Sequence, residues 1–170
     1  MNDHEMTVFH GTNARFEMVD FSASKDKRDF GRGFYTTTIY EQAQTWAKNM
    51  SLRYGGGQYV YELVFTPDSN IRIKRFEGLT LEWLEMIKEN RLRGGVQHDY
   101  DVVIGPVAND NTMRTVALYV DGIYTSVMAL EQLRYFKAND QVSFHTARAL
   151  ESLKIVRRID LSQTPLEWRP

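Results

Sequence analysis

Segments with the residue pattern of β-strands recur from one end of the 170-residue chain to the other, and segments of helical period separate them. The clearest strand pattern is Tyr59–Phe65, which is rich in aromatic and β-branched side chains. Further strands are predicted at residues 7–10, 70–76, 101–105, 141–145 and 155–159. Apolar residues at helical spacing predict helices at residues 40–53, 79–92, 112–119 and 125–136, and a short one from residue 147. This order predicts a mixed α+β fold with strands near both ends.

The composition favours one domain over residues 1–170 and excludes several kinds of site. No segment reads as a linker or a repeat, and the length is typical of a single domain. The chain has no cysteine, which excludes disulfides, thiolate catalysis and cysteine-ligated zinc. The formal net charge of -1 gives no general attraction to nucleic acid or membranes. His98 lies near Asp99 and Asp101, but no further ligand spacing supports a metal, so no metal site is expected.

The sequence shows no signature of export or membrane insertion. The first residues are polar and acidic, unlike the apolar segment of a signal peptide. No apolar run approaches the ~18 residues that a membrane span needs. We therefore expect a cytoplasmic protein with no membrane partner.

A long segment without regular period precedes a glycine-flanked arginine. Loops as long as residues 12–29 are uncommon inside compact domains and are often functional. The loop leads into Phe30-Gly31-Arg32-Gly33-Phe34-Tyr35. These glycines do not match the dinucleotide fingerprint, which needs a third glycine and a preceding strand, or the phosphate loop, which needs Gly-Lys-Ser/Thr. Gly31 and Gly33 must therefore serve another backbone geometry.

Two short motifs together resemble those of ADP-ribosyltransferases of the diphtheria-toxin and poly(ADP-ribose) polymerase type. Phe9-His10-Gly11-Thr12 is similar to the strand-end His-Gly-Ser/Thr of that superfamily. Residues 30–35 are similar to its Phe-Gly-Lys-Gly-aromatic-Tyr segment, with Arg32 in place of the lysine. A second stacking aromatic follows the tyrosine by eleven positions in the family, where this chain has Trp46. The chain looks closest to a bacterial group of uncharacterised, toxin-like domains. The resemblance implies a single-domain ADP-ribosyltransferase-like fold, with a split β-sheet core and flanking helices.

The resemblance implies an NAD site in these motifs. The backbone of Gly11 would bind the nicotinamide amide, while Tyr35 and Trp46 would enclose the nicotinamide ring between aromatic faces. His10 would donate a hydrogen bond to the adenosine-side ribose, and Thr12 could assist there.

The glycine segment (residues 30–35) and the loop before it would provide the remaining contacts to NAD. Arg32 and Gly33 belong to the cofactor-binding segment by resemblance. Arg28 and Arg32 could contact the pyrophosphate of NAD or an acidic acceptor, because a guanidinium offers bidentate geometry. An exposed charged loop explains both arginines equally well.

The third motif of the superfamily is usually a glutamate at the beginning of a strand, and Gln141 is the candidate by order along the chain. A neutral amide forms weaker hydrogen bonds than a carboxylate, so a slower or differently assisted reaction is expected. A His-Tyr-Gln set is compatible with mono-ADP-ribosyl transfer and argues against chain elongation. Glu62 is the rival carboxylate, ranked second because its strand pattern turns it to solvent. A structural role remains the alternative for His10, Tyr35, Trp46 and Gln141.

The expected function is NAD-dependent mono-ADP-ribosyl transfer to a protein or nucleic-acid acceptor, with NAD as the co-substrate. The resembled group further implies a toxin or effector, with an antitoxin protein as a possible partner. One alternative is NAD glycohydrolysis, with water as the acceptor. The other is a catalytically silent module that recognises NAD, ADP-ribose or a protein partner, which the glutamine of the third motif keeps open.

Overall fold

The computed structural model describes residues 5–22, 24–108, 112–134 and 140–163, and within them seven strands form two sheets. The strands are β1 (Met6–Thr12), β2 (Phe34–Thr36), β3 (Tyr59–Phe65), β4 (Ile73–Arg75), β5 (Val102–Pro106), β6 (Asp140–Phe144) and β7 (Leu153–Asp160). The helices are α1 (Tyr40–Tyr54), α2 (Leu81–Arg93), α3 (Met113–Val120), α4 (Ser126–Leu133) and α5 (Ala147–Glu151), and a 3-10 turn follows at Leu161–Gln163. The α+β class is confirmed.

Strand order defines how the two sheets are built. The first sheet has the order β1-β3-β7 and is antiparallel throughout. The second has the order β2-β6-β5-β4, in which β4 and β5 are parallel and the other pairs antiparallel. The sheets meet where Phe9 of β1 and Thr37, just after β2, exchange two backbone hydrogen bonds of 2.7 and 2.9 Å. This short bridge places the beginning of the chain beside the glycine segment.

Alternate residues of the strands face opposite sides of the sheets, so the core consists of separate clusters. One buried cluster combines side chains from both sheets, among them Val8, Tyr61, Leu63, Phe34, Val142 and Phe144. The opposite face of the second sheet packs under α2, α3 and α4, whose buried residues include Trp83, Ile87, Val116 and Leu133. Tyr35 and Val103 belong to this second cluster. Helix α1 covers β1 and β3 through Ala43, Ala47, Val60 and Phe9. Burial on both faces of the sheet holds Tyr35 in place.

Most predicted elements are confirmed, with shifted ends. The strand predicted at residues 70–76 is shortened to Ile73–Arg75, and the helix predicted at 125–136 begins at Ser126 and ends at Leu133. Residues 135–136 of that prediction lie outside the described part of the chain. β2 was not predicted, because three residues buried on both faces show no alternation. Among the described residues, no helix is long and apolar enough to cross a membrane.

Helix α1 approaches β1 so closely that only glycine fits at position 11. A Cβ on Gly11 would lie 2.0 Å from the Ala43 carbonyl oxygen and 2.9 Å from the Ala47 amide nitrogen. Both atoms belong to helix backbone, so they cannot rotate away. The sequence of β1 therefore fixes the distance of α1 from the strand.

We predict that Gly11→Ala lowers the free energy of unfolding by about 3 kcal/mol or more, since overpacking against backbone lies at the upper end of such costs. Gly78→Ala is the control, because a Cβ there meets no atom within 4 Å. Its expected effect is within about 0.5 kcal/mol. Urea unfolding of both variants measures the difference, and equal midpoints would contradict the close approach.

Candidate functional site

His10 is held between the two sheets by one hydrogen bond and a ring stack. Its ring stacks on Phe34 with 4.3 Å between centroids, and its Nδ1 lies 2.7 Å from the Tyr35 carbonyl oxygen. A carbonyl only accepts hydrogen bonds, so Nδ1 carries the proton. Burial lowers the pKa of His10 to about 4, the Tyr35 hydrogen bond opposes that shift, and the positive charge of Arg28 adds to it. The imidazole is therefore neutral at pH 7, and its Nε2 is an acceptor.

This protonation state changes the role expected for His10. The resemblance implied a donor to a ribose hydroxyl, but a neutral ring whose only proton is on Nδ1 cannot donate through Nε2. Its Nε2 can accept a hydrogen bond from a hydroxyl instead. The position of His10 at the predicted site is unchanged, and only the direction of the hydrogen bond is reversed.

The hydrogen-bonded ladder between β1 and β2 stops after Phe9 and Thr37. Hydrogen-bonded pairs alternate along an antiparallel ladder, so the pair after Phe9 and Thr37 would be Gly11 and Tyr35. The Tyr35 carbonyl is taken by His10 instead. Within the described residues, no hydrogen bond joins Gly11 to β2. The backbone N–H and C=O of Gly11 consequently face a gap at the free edge of β1.

Tyr35 forms one wall of this gap but is mostly buried. Only 5% of it is exposed, and its hydroxyl donates to the Gly31 carbonyl at 2.6 Å and accepts from the Phe30 amide at 2.9 Å. Burial raises the pKa of this phenol, so it stays protonated. The guanidinium of Arg28 lies over the ring, 4.1 Å from its centroid. The Tyr35 hydroxyl thus holds the backbone of the glycine segment in place, while the Arg28 guanidinium covers the face of the ring.

Gln141 lies on the same face of the second sheet as Tyr35. Tyr35 is paired with Ser143 across β2 and β6, and Gln141 lies two positions from Ser143 along β6. Side chains of opposed residues and of alternate residues share a face. Gln141 is 4% exposed, and its Nε2 donates to the Pro106 carbonyl at 3.1 Å. The structure therefore brings His10, Tyr35 and Gln141 to neighbouring strands, with Gln141 anchored by its amide.

Two polar residues beside Gln141 were not predicted from the sequence. The Gln42 side chain on α1 is buried, and its Nε2 donates to the Asp140 carbonyl at 2.9 Å, at the peptide bond that leads into Gln141. The Oε1 of Gln42 is buried without a hydrogen-bond partner in the described part of the chain. The Asp140 carboxylate accepts from the Thr37 hydroxyl and from the Thr38 amide and hydroxyl. Polar residues near a helix start and a strand end read as solvent-facing, so no sequence signal marks them.

The remaining predicted residues differ in how deeply they are buried. Thr12 ends β1 and is half-buried, and its hydroxyl accepts from the Ala14 amide at 3.3 Å. Trp46 is half-buried on the turn of α1 that packs on Gly11. The side chain of Arg32 is exposed. Gly33 is buried, and a Cβ there would lie 2.5 Å from the Phe144 carbonyl oxygen, so this glycine serves close packing.

The loop before the glycine segment is tied to the end of α2. Asp29 forms an ion pair with Arg91, at 2.5 and 2.9 Å from Nη2 and Nε. Asp26 accepts from the Gly95 amide at 2.6 Å, and the Arg32 amide donates to the Gly95 carbonyl at 2.9 Å. These contacts fix the backbone on both sides of Arg28.

Two further histidines form hydrogen bonds to backbone carbonyls of the glycine segment. His98 bonds the Phe30 carbonyl through Nε2 at 2.7 Å, and His145 bonds the Arg32 carbonyl through Nδ1 at 2.9 Å. Burial lowers the pKa of both, to about 4 for His145. Among the described residues, no group of three or more histidines and carboxylates is arranged to hold a metal. Glu62, the rival carboxylate, forms an ion pair with Arg157 of β7 at 3.0 Å and lies opposite Phe9 across β1 and β3.

Comparison with known proteins gives one match. A family model described as "Protein of unknown function (DUF3990)" matches residues 6–155, which include every strand and helix from β1 to α5. Searches of the curated proteins and of the solved structures gave no match.

We predict that the protein loses stability as the pH falls from about 6.5 to about 4. The pKa of His10 and of His145 is about 4 in the folded protein and 6.5 for an unperturbed histidine, so the unfolded chain binds more protons in this window. Each histidine contributes a slope of up to about 1.4 kcal/mol per pH unit. Urea unfolding between pH 7.5 and 4.5 measures it. The variant pair His10→Asn and His145→Asn, combined, should flatten the profile, and an unchanged profile would show that other groups cause it.

Proposed function

The chain belongs to the DUF3990 family, and we propose that it is an NAD-dependent mono-ADP-ribosyltransferase. The proposal rests on the gap between β1 and β2, where the Tyr35 carbonyl accepts from His10 and, within the described residues, the Gly11 backbone has no hydrogen bond to β2. A strand edge with one free N–H and one free C=O is complementary to a primary carboxamide, which has one acceptor and two donors. Nicotinamide carries such a group. The resemblance assigned the same contact to Gly11.

The other walls of the gap suit the rest of NAD. Tyr35 and Trp46 offer aromatic surfaces for the nicotinamide ring, on a strand and a helix that flank Gly11. The Nε2 of His10 is an acceptor for a ribose hydroxyl. Gln141, on the face of Tyr35, would hold the nicotinamide ribose through its amide oxygen, since its Nε2 is already bound to Pro106.

In the reaction, the bond between the nicotinamide nitrogen and the ribose carbon breaks, and its electron pair leaves with nicotinamide. The ribose becomes positively charged in the transition state, and dipoles aimed at it lower the barrier. A nucleophile of the acceptor then forms the new bond to the same carbon and gives up its proton. Gln141 contributes only a dipole, so we expect a modest rate and a single transfer.

The alternative with an observation in its favour is a catalytically silent NAD or ADP-ribose module. Gln141 is neutral and its Nε2 is hydrogen-bonded to Pro106. The neighbouring Asp140 carboxylate accepts three hydrogen bonds from Thr37 and Thr38, which hold it in place. Glycohydrolysis, with water as acceptor, needs the same site. For the transferase we further propose a toxin or effector role in the cytoplasm, held in check by an antitoxin protein.

We predict that the wild-type protein binds NAD and that Trp46→Ala weakens binding about tenfold, because a lost aromatic stack costs on the order of 1 kcal/mol. Tyr54→Ala is the control, since it removes an exposed aromatic from the same helix. Calorimetric titration of NAD into each variant gives the affinities. A folded wild type that binds no NAD at millimolar concentration would overturn the proposal.

Labelled NAD then distinguishes the three activities. Label attached to protein or nucleic acid indicates a transferase, free ADP-ribose indicates a glycohydrolase, and binding without turnover indicates the silent module. For the transferase, we predict that Gln141→Ala lowers the rate at least tenfold while NAD affinity changes little, because a transition-state donor or acceptor of this kind contributes about 2 kcal/mol or more. An unchanged rate would remove Gln141 from the site.

A further inference from the structure

Arg28 is a half-buried cation over the Tyr35 ring, and no carboxylate of the described residues pairs with it. Its guanidinium carbon lies 4.1 Å from the centroid of the Tyr35 ring. None of the carboxylates in the described residues forms an ion pair with it, and the adjacent Asp29 is bound to Arg91. Since the flanking backbone is fixed by α2, Arg28 is held at the gap by the loop and not by its own charge.

The contact between Arg28 and Tyr35 is weak enough to be exchanged. A cation over an aromatic face contributes about 0.5–2 kcal/mol, depending on its exposure to water. A charge-assisted bidentate pair of arginine with phosphate is stronger and geometrically specific. Arg28 would therefore leave the ring if a phosphate came within reach. Its positive charge also adds to the lowering of the His10 pKa, which is caused mainly by burial.

We infer that Arg28 makes this site selective for a dinucleotide over free nicotinamide, by covering the Tyr35 ring when the site is empty and pairing with the pyrophosphate when NAD displaces it. The inference rests on the proposed function. Free nicotinamide must also displace the guanidinium, but it has no anionic group that could pair with Arg28. NAD displaces it and supplies a new anionic partner in the same molecule.

The two ligands should therefore respond to a change of Arg28 in opposite directions. Arg28→Gln removes the cover from the ring and removes the phosphate partner. Nicotinamide is expected to bind about threefold to tenfold more tightly, which corresponds to the loss of a competing contact of this strength. NAD is expected to bind about tenfold or more weakly. ADP-ribose, which lacks the nicotinamide ring, should lose affinity as NAD does.

Calorimetric titrations of nicotinamide, ADP-ribose and NAD into the full chain test this. Lys27→Gln is the matched control, because it removes one positive charge from the adjacent exposed position. It should leave all three affinities within about twofold, whereas a general field effect would change both variants alike. Arg28→Lys is the second variant. It keeps the charge without the planar stack, so nicotinamide should gain affinity while NAD loses less than in Arg28→Gln.

Opposite shifts for nicotinamide and NAD support the inference. If both affinities move in the same direction, or if NAD alone is affected, the displacement of Arg28 from the ring is overturned. If NAD binds and neither ligand responds to Arg28, only this inference fails. A wild type that binds neither ligand overturns the proposed function together with it.

Discussion

The candidate site depends on where the hydrogen-bonded ladder between β1 and β2 stops. Phe9 and Thr37 exchange both backbone hydrogen bonds, and the next pair would be Gly11 and Tyr35. The Tyr35 carbonyl accepts from the Nδ1 of His10 instead, and within the described residues no hydrogen bond joins Gly11 to β2. The sheet edge beside Gly11 is therefore left as a gap. The absence of a side chain at Gly11 then allows α1 to close one side of it.

The second constraint is the anchoring of the glycine segment. Tyr35 folds it back through Phe30 and Gly31, and residues at the end of α2 hold its outer side. His98 and His145 fill the space beneath it as neutral hydrogen-bonding rings. Its glycines allow close packing against neighbouring backbone, and the loop before it carries Arg28.

The sequence predicted the fold class, most elements and the proximity of His10 to Tyr35, because strand and helix periods are local signals and the two motifs lie in order. It did not predict β2, whose three residues are buried on both faces and show no period. It also missed Gln42, since a polar residue on the first turn of α1 reads as solvent-facing. The direction of the His10 hydrogen bond depends on burial and on a carbonyl 25 residues away in the chain. Such long-range partners leave no trace in a local pattern.

The charges around the gap constrain the order of events in the proposed reaction. His10 and Gln141 are neutral, the Asp140 carboxylate accepts hydrogen bonds from Thr37 and Thr38, and the Arg28 guanidinium lies 4.1 Å from the centroid of the Tyr35 ring. A cation beside a developing ribose cation raises the barrier, by on the order of 4 kcal/mol for two unit charges about 4 Å apart at an effective dielectric constant of 20. In the proposed reaction, nicotinamide would therefore leave only after NAD has displaced Arg28 from the Tyr35 ring. Pairing with the pyrophosphate would hold Arg28 away from the ring, at the cost of neutralising part of the phosphate charge. The remaining negative charge of the phosphates would then supply part of the stabilisation that, by resemblance, a glutamate supplies in other sites of this type.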